Sequence, residues 1–256
     1  MTDLLGEWGL RPDGDDLGTR ASVRPVLTAD GRAAVLKTAA SPDEHLALTR
    51  WDGDGAVRLL RADPRRGALL LDRVAGVTLA GHGDLEACEI VAGLYRRLHR
   101  PTGAPFRALS SVAADAADRL AALPRNAPLP RRLVEQAAGL ARAFASDEAT
   151  DGVLVHGDLH YEHVVTDADV AVAVSPTPLS GEPAYEVAPL LWHRSAELDV
   201  DLRGGLRRRF HTTIDVADLD EDRARDWVIL RSVLRAVAAD ERNVTHCIAV
   251  AKAVQE

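Results

Sequence analysis

The chain has 256 residues, of which 46% are hydrophobic, enough to bury the cores of a two-lobed enzyme. It contains no run of about 18 apolar residues, which excludes a transmembrane helix. The formal charge of -8 disfavours a nucleic-acid partner, because phosphate backbones require basic surfaces. It would attract cationic small molecules, but an acidic balance is also ordinary for a soluble protein, and we give that interpretation more weight.

The first residues and the cysteines indicate the compartment. The N-terminus is acidic and lacks the basic segment followed by an apolar core that marks a secretory signal. Cys88 and Cys247 lie far apart in segments of helical pattern, which favours small buried residues over a disulfide. We therefore expect a cytoplasmic protein.

The N-terminal part of the chain is predicted to form a sheet. Asp30-Gly31 is a strong hairpin signal and joins a strand over 21–27 to one over 32–37, which ends at Lys37. Lys37 and Lys252 are the only lysines in an arginine-rich chain, so we expect a function for Lys37, whereas Lys252 lies in the C-terminal tail. Glu44 is placed to pair with Lys37. The other elements expected here are a helix over 42–48, strands over 56–60 and 68–72, and a hinge over 72–76.

The remainder of the chain is predicted to be mainly helical. Apolar residues recur at helical spacing between charged ones from residue 85 to 99. Further helices are expected over 112–123, 133–144, 186–197, 202–212, 222–238 and 243–254, with a strand over 153–155. We therefore predict an α+β protein with an N-lobe over 1–73 and a helical C-lobe over 74–256.

The most informative segment follows the strand over 153–155. His156-Gly157-Asp158-Leu159-His160 begins a loop that ends at His163, and the apolar run after it ends at Ser175. A carboxylate and several imidazoles in one short loop provide the groups for general acid and base catalysis near neutral pH. Three of these histidines could also bind zinc, but their spacing on a loop supports that weakly.

Several segments, taken in order, resemble the aminoglycoside phosphotransferases, in particular the streptomycin 6-phosphotransferase and hydroxyurea phosphotransferase branch. They are Ala34-Val35-Leu36-Lys37, the stretches 51–60 and 67–71, the loop at Asp158, and Gly181-Glu182-Pro183-Ala184-Tyr185-Glu186. The resemblance implies a two-lobed protein-kinase-like fold with a small antiparallel-sheet N-lobe and a mainly helical C-lobe. It also implies ATP between the lobes and phosphorylation of a hydroxyl on a small polar antibiotic.

The resemblance assigns roles to individual residues. Lys37 corresponds to the lysine that holds the nucleotide phosphates, Glu44 to its helix partner, and Asp158 to the catalytic base. Asp72, in the hinge, and Ser175 complete the predicted cofactor-binding set.

The chain departs from the family at other positions. The family coordinates magnesium with Asn and Asp, and this chain has His163 and Ser175 there instead. The phosphate-covering loop, over 17–22, has one glycine, and Glu182 and Glu186 replace aspartates. Because magnesium prefers anionic oxygen ligands, we expect magnesium binding to be weak or absent and predict no protein metal ligands.

Three functions remain open. The first is a repurposed enzyme that acts on a small polar or natural-product substrate without phosphoryl transfer, with Asp158 as base assisted by His160 or His163. The second is an active ATP-dependent O-phosphotransferase with an unusual metal site, such as an antibiotic resistance enzyme. The third is a non-catalytic pseudokinase that binds a ligand. Fold alone cannot choose among them, because function depends on the site.

Overall fold

The computed structural model describes residues 2–17, 22–167, 170–198, 200–238 and 241–255. The chain divides into two compact units: unit 1 contains residues 1–78 and 163–177, and unit 2 contains 79–162 and 178–256. Within the described residues, none of the helices combines the length and the apolar character needed to cross a bilayer.

Unit 1 is built on antiparallel sheets. Its strands are β1 (Arg11–Pro12), β2 (Val23–Leu27), β3 (Ala33–Lys37), β4 (Leu59–Asp63), β5 (Ala68–Asp72), β6 (Val77–Thr78), β9 (Val164–Asp167) and β10 (Val170–Ala173), with helices α1 (Thr2–Glu7) and α2 (Glu44–Trp51). Five strands, in the order β1-β2-β3-β5-β4, form the main sheet, and β10-β9-β6 form a smaller one.

The turn between β2 and β3 confirms the hairpin prediction. Gly31 has a φ of +84°, a conformation that glycine adopts without steric cost, and Leu27 pairs with Ala33 across the turn. The alternation of side chains along β3 buries Ala34 and Leu36 in the apolar core that α1 also enters. Helix α1 was not predicted from the sequence, because residues 2–7 lie outside the segments with a predicted element.

Strand β4 starts three residues later than predicted. Ala56 forms a parallel bridge with Ala173, and the amide of Val57 donates to the carbonyl of Ala173 at 2.9 Å. The backbone at 56–57 is therefore extended but pairs with β10, whereas hydrogen bonding to β5 begins at the Arg58 carbonyl, which accepts from the Asp72 amide at 2.9 Å. The prediction of one strand over 56–60 was wrong because local pattern does not identify the partner strand.

Unit 2 is mainly helical. Its helices are α3 (Asp84–Leu98), α4 (Leu109–Ala121), α5 (Arg131–Ser146), α6 (Ala188–Trp192), α7 (Leu202–Ala217), α8 (Glu221–Val237) and α9 (Glu241–Ala253). One small sheet, in the order β11-β8-β7, consists of β7 (Arg100–Pro101), β8 (Val153–Val155) and β11 (Leu179–Gly181). The apolar faces of α4 to α9 share one extensive core.

The helix expected over 186–197 is divided into three short pieces. A 3-10 turn over Pro183–Val187 leads into α6, and a second 3-10 turn covers Ser195–Leu198. His193 is extended and Arg194 has a φ of +55°, so the chain cannot continue as an α-helix there. Arg194 instead donates to the carbonyls of Leu79 and His82, at 3.2 and 2.8 Å. A tertiary interaction therefore accompanies a break that local periodicity did not predict.

Candidate functional site

Lys37 and Glu44 form a buried ion pair in unit 1. Lys37 is the last residue of β3, and Glu44 is the first residue of α2. The Lys37 Nζ lies 2.7 Å from Glu44 Oε1 and 2.9 Å from Oε2, and the two residues are 6% and 0% exposed. Charges this deeply buried require close partners, so each residue fixes the other.

Ser175 completes this group of polar side chains. Its Oγ lies 3.2 Å from Lys37 Nζ, so the ammonium donates to Ser175 as well as to Glu44. Ser175 has a φ of +59°, a left-handed conformation that is uncommon for a residue with a side chain. Ser41 further supports the site, because its amide donates to Glu44 at 3.2 Å and its hydroxyl to the Pro176 carbonyl at 2.9 Å.

His163 and Ser175 lie at the same end of the β9–β10 hairpin. The register pairs Val164 with Ala173, so the residue before β9 and the second residue after β10 are neighbours. The Val174 amide donates to the His163 carbonyl at 2.9 Å. The structure therefore brings Lys37, Glu44, His163 and Ser175, all predicted site residues, into one region of unit 1.

Asp72 makes different contacts. It is the last residue of β5, and its carboxylate forms an ion pair with Arg32 at 2.8 Å. Asp72 is thus paired with Arg32, which directly precedes β3, and not with the ammonium of Lys37. Most of the predicted phosphate-covering loop, residues 18–21, lies outside the described residues.

The loop that carries Asp158 belongs to unit 2 and begins directly after β8. His156 and His160 are buried, whereas the Asp158 side chain is 37% exposed. The Asp158 amide donates to His156 Nδ1 at 3.3 Å, and Gly157 has a φ of +84°. A sharp turn at glycine thus leaves the Asp158 carboxylate accessible between two buried imidazoles.

Glu186 holds the backbone of this loop. It is completely buried and accepts the amide of His156, and its two oxygens lie 3.3 and 3.2 Å from the Gly157 amide nitrogen. Burial alone would raise the pKa of Glu186, but His99, whose Nε2 lies 3.7 Å from Glu186 Oε1, and the nearby His156 and Arg231 bring that pKa below the usual glutamate value. Glu186 is therefore an anion whose charge is satisfied by the loop.

Arg231 holds the same loop from α8. Its Nη2 donates to the Gly157 carbonyl at 2.8 Å and its Nη1 to the Tyr185 carbonyl at 2.6 Å. The guanidinium also lies over the Tyr185 ring at 3.7 Å. The peptide at Gly157 is thus held through both its N–H and its C=O. Sequence reasoning missed Arg231, although an arginine inside the apolar run of α8 was an available signal.

Glu182 takes part in a separate network. It accepts two hydrogen bonds from Arg223, at 2.7 and 2.8 Å, and one from Trp227 Nε1 at 2.6 Å. Arg223 also bonds to Asp147 and Thr150. These contacts connect α8 to the C-terminal end of α5, so Glu182 has a structural role.

The imidazoles of unit 2 are poorly arranged for a metal. His160, Glu162 and His193 each have a ligand atom within 4.8 Å of the others. However, the His160 and His193 rings stack at a centroid distance of 3.7 Å and an angle of 7°. Their lone pairs therefore lie in parallel planes and do not converge on one ion. His160 Nε2 is 4.0 Å from Asp158 Oδ2, beyond hydrogen-bond distance.

Comparison with solved structures shows that the chain has a protein-kinase-like fold. It is similar to a thermostable mutant of aminoglycoside phosphotransferase APH(4)-Ia in ternary complex with ADP and hygromycin B, with a TM-score of 0.64, 15% identity, and coverage of 98% of this chain and 97% of that one. Choline kinase LicA from Streptococcus pneumoniae gives a TM-score of 0.65, 11% identity, and coverage of 99% and 96%. The predicted kinase-like α+β fold is confirmed.

The chain belongs to the aminoglycoside/hydroxyurea antibiotic resistance kinase family, whose model matches residues 7–243. It is 36% identical to streptomycin 6-kinase of Streptomyces griseus over 242 residues, which cover 89% of this chain and 78% of that protein. It is 38% identical to hydroxyurea phosphotransferase of Kitasatospora aureofaciens over 254 residues, covering 91% and 70%. The family resemblance seen in the sequence is thereby confirmed.

Proposed function

We propose that this chain uses the phosphotransferase fold for chemistry other than magnesium-dependent phosphoryl transfer. Its substrate would be a small polar molecule or natural product, and Asp158 would be the general base. The observation that carries the proposal is the hydrogen bond between Lys37 and Ser175, because it puts an ammonium beside a neutral hydroxyl at the position where the family has a metal-binding carboxylate.

The donor set of unit 1 fits a magnesium ion poorly. Magnesium prefers several hard oxygen ligands in an octahedron, with carboxylates to offset the cost of dehydration. Ser175 provides a neutral oxygen and His163 an imidazole, and the one carboxylate of the group, Glu44, is already paired with Lys37. A nucleotide could still place its phosphates near Lys37, but the residues present would not neutralise a bridging divalent ion.

The organisation of unit 2 supports a role for Asp158 in proton transfer. Glu186 and Arg231 fix the peptide at Gly157, so the Asp158 side chain starts from a rigid backbone. A carboxylate that is partly exposed and held in this way can accept the proton of a substrate hydroxyl. We assign His160 and His163 as assisting groups, because both lie within five residues of Asp158 in the same loop.

A second candidate is an active ATP-dependent O-phosphotransferase that uses another metal arrangement. The specific observation in its favour is the intact Lys37–Glu44 pair, since phosphoryl transfer in kinases requires a lysine held in this way. A softer ion such as manganese would accept the imidazole of His163 better than magnesium does.

Nucleotide binding, measured by calorimetry with a non-hydrolysable ATP analogue, separates the two candidates. We expect magnesium to change the affinity of the native protein by less than about twofold, and His163→Asn with Ser175→Asp to make magnesium strengthen binding by about tenfold. The matched control, His211→Asn with Ser146→Asp, makes the same residue changes elsewhere in the chain. A native protein whose nucleotide affinity already rises tenfold with magnesium would favour the second candidate.

The role of Asp158 has its own test. Asp158→Asn keeps the size and most hydrogen bonding of the side chain but removes its basicity, so it should abolish substrate turnover without loss of stability. If turnover persists in Asp158→Asn while Asp158→Ala only lowers stability, the residue is architectural. A protein that binds its ligand without any turnover would support the function of a binding protein.

A further inference from the structure

Unit 2 contains a cavity that the proposed function does not use. It has a volume of about 290 Å³ and lies between α4, α6 and α8. Small residues of α4, Ala113 and Ala116, form one side, and Tyr185, Trp192 and Trp227 provide aromatic walls. The volume is near the lower end of small-molecule pockets, which run from roughly 300 to 1,000 Å³.

The charge of this cavity is opposite to that of the whole chain. Arg119, Arg231 and Arg235 line it, and none of its described lining residues carries a carboxylate. The three arginines also form no ion pair with any residue in the described part of the chain. Most other arginines whose side chains make contacts in the described part of the chain have a carboxylate partner. In a chain with a formal charge of -8, three guanidiniums around one cavity that have no ion-pair partner among the described residues favour an anionic ligand.

Arg231 and Arg235 are held in place by other contacts. Arg231 donates to the carbonyls of Gly157 and Tyr185, which leaves its positive charge without a bonded anion. Arg235, one helical turn along α8, lies over the Trp192 ring at 4.7 Å. Glu186 is the buried carboxylate whose pKa Arg231 lowers, but its oxygens already accept the amides of the loop. Arg235 and Arg119 are exposed and can reach a ligand at the edge of the cavity.

The aromatic walls are rigid before any ligand binds. Trp227 stacks on Phe144 with centroids 3.9 Å apart and an angle of 4°, and it meets the edge of Tyr185 at 5.1 Å. Trp192 Nε1 donates to Ser232 Oγ at 3.2 Å. Walls fixed in this way lose little conformational entropy when a flat apolar group packs against them.

We infer that this cavity binds a small anion with a flat apolar body. The carboxylate, sulfonate or phosphate group of the ligand would lie toward Arg119 and Arg235, and its ring would pack between the helices against the tryptophans. A cationic ligand would bring like charge against the three guanidiniums and is disfavoured. This binding site does not depend on the role of Asp158.

Titration calorimetry on the full chain tests this site with two probes that share one ring and differ in charge. We expect naphthalene-2-sulfonate to bind at least about tenfold more tightly than 2-naphthylmethylammonium. Arg119→Gln with Arg235→Gln should weaken sulfonate binding by about fivefold to tenfold, as expected for two partly exposed ion pairs. Arg96→Gln, which removes an exposed arginine of α3, is the control and should leave binding unchanged.

Three results would overturn the inference. One is the absence of sulfonate binding at about 5 mM probe, a concentration that detects even millimolar affinity. Another is ammonium binding as tight as sulfonate binding. The third is equal sulfonate affinity in the native protein and in the Arg119→Gln, Arg235→Gln variant. Because both arginines are exposed and lie outside the catalytic loop, the variant is expected to fold, and its thermal unfolding checks this directly.

Discussion

Glu186→Gln should destabilise unit 2 by about 2–4 kcal/mol, because it removes the charge that organises the Asp158 loop. The carboxylate is completely buried and accepts the amides of His156 and Gly157. A glutamine keeps one acceptor oxygen, but its NH₂ group must face an N–H or imidazole that now lacks a partner. Hydrogen bonds to charged groups contribute roughly 1.5–3 kcal/mol each, so partial loss of this set gives the stated range. The midpoint of thermal unfolding should fall by roughly 5–15 °C.

The effect of Glu186→Gln should also depend on pH in a defined direction. The pKa of Glu186 is lowered in the folded state, so its stabilising contribution is complete above the ordinary glutamate pKa of about 4.3. The contribution is lost as pH falls through the lower folded pKa, because both states then bind the proton. The stability difference between native protein and variant should therefore be constant from about pH 5 to 7 and shrink at lower pH.

Chemical denaturation at several pH values measures the difference in the free energy of unfolding between the native protein and Glu186→Gln. Amide hydrogen exchange at Gly157 and His156 measures how often the loop opens. The amide protection of both residues should fall in Glu186→Gln. Glu89→Gln, at an exposed position of α3, is the control and should change stability by less than about 0.5 kcal/mol. Unchanged stability at pH 7, with unchanged amide protection, would refute the assignment of Glu186 as the anchor of the loop.

Two further substitutions test unit 1. Gly76 has a φ of +123°, and an added Cβ would lie 2.0 Å from the Thr166 carbonyl oxygen, so Gly76→Ala should cost about 3 kcal/mol or more in urea unfolding. Gly93→Ala, in α3 with open space around it, should instead be neutral or stabilising by up to about 1 kcal/mol, and equal effects of the two would contradict this account. Lys37→Met leaves the buried Glu44 carboxylate without its ion-pair partner and should lower the free energy of unfolding by about 3–5 kcal/mol. Lys37→Met with Glu44→Leu should recover much of that stability. A double variant no more stable than the single variant would exclude an unpaired charge as the cause.

The sequence predicted those features that depend on local chemistry. The Asp30-Gly31 turn, the strand that ends at Lys37 and the helix that starts near Glu44 all follow from turn residues, apolar alternation and charge placement. The pairing of Lys37 with Glu44 was also predicted, and the structure shows it at 2.7 Å. These interactions join elements that are close in sequence, so local patterns contained enough information.

Interactions between distant segments were not predictable in the same way. Arg231 lies 74 residues from Gly157 along the chain, and nothing local indicates that its guanidinium reaches that carbonyl. The break at Arg194 accompanies bonds to the carbonyls of Leu79 and His82, more than 100 residues earlier. Ser175 was identified as an altered position, but its contact with Lys37 became visible only once β10 was placed beside Ala56, which precedes β4. The periodicity of apolar residues describes one helix or strand at a time and does not indicate which distant segment that element contacts.

Phosphoryl transfer from magnesium-ATP is the most direct measurement of the central claim. Purified native protein should be assayed with streptomycin, with hydroxyurea and without acceptor, beside the His163→Asn, Ser175→Asp variant. The account predicts no transfer and no ATP hydrolysis by the native protein, with measurable activity restored by the two metal ligands and lost again when Asp158→Asn is added. Native turnover in the range typical of kinases, about 1–100 per second, would contradict the claim that this fold is used for other chemistry.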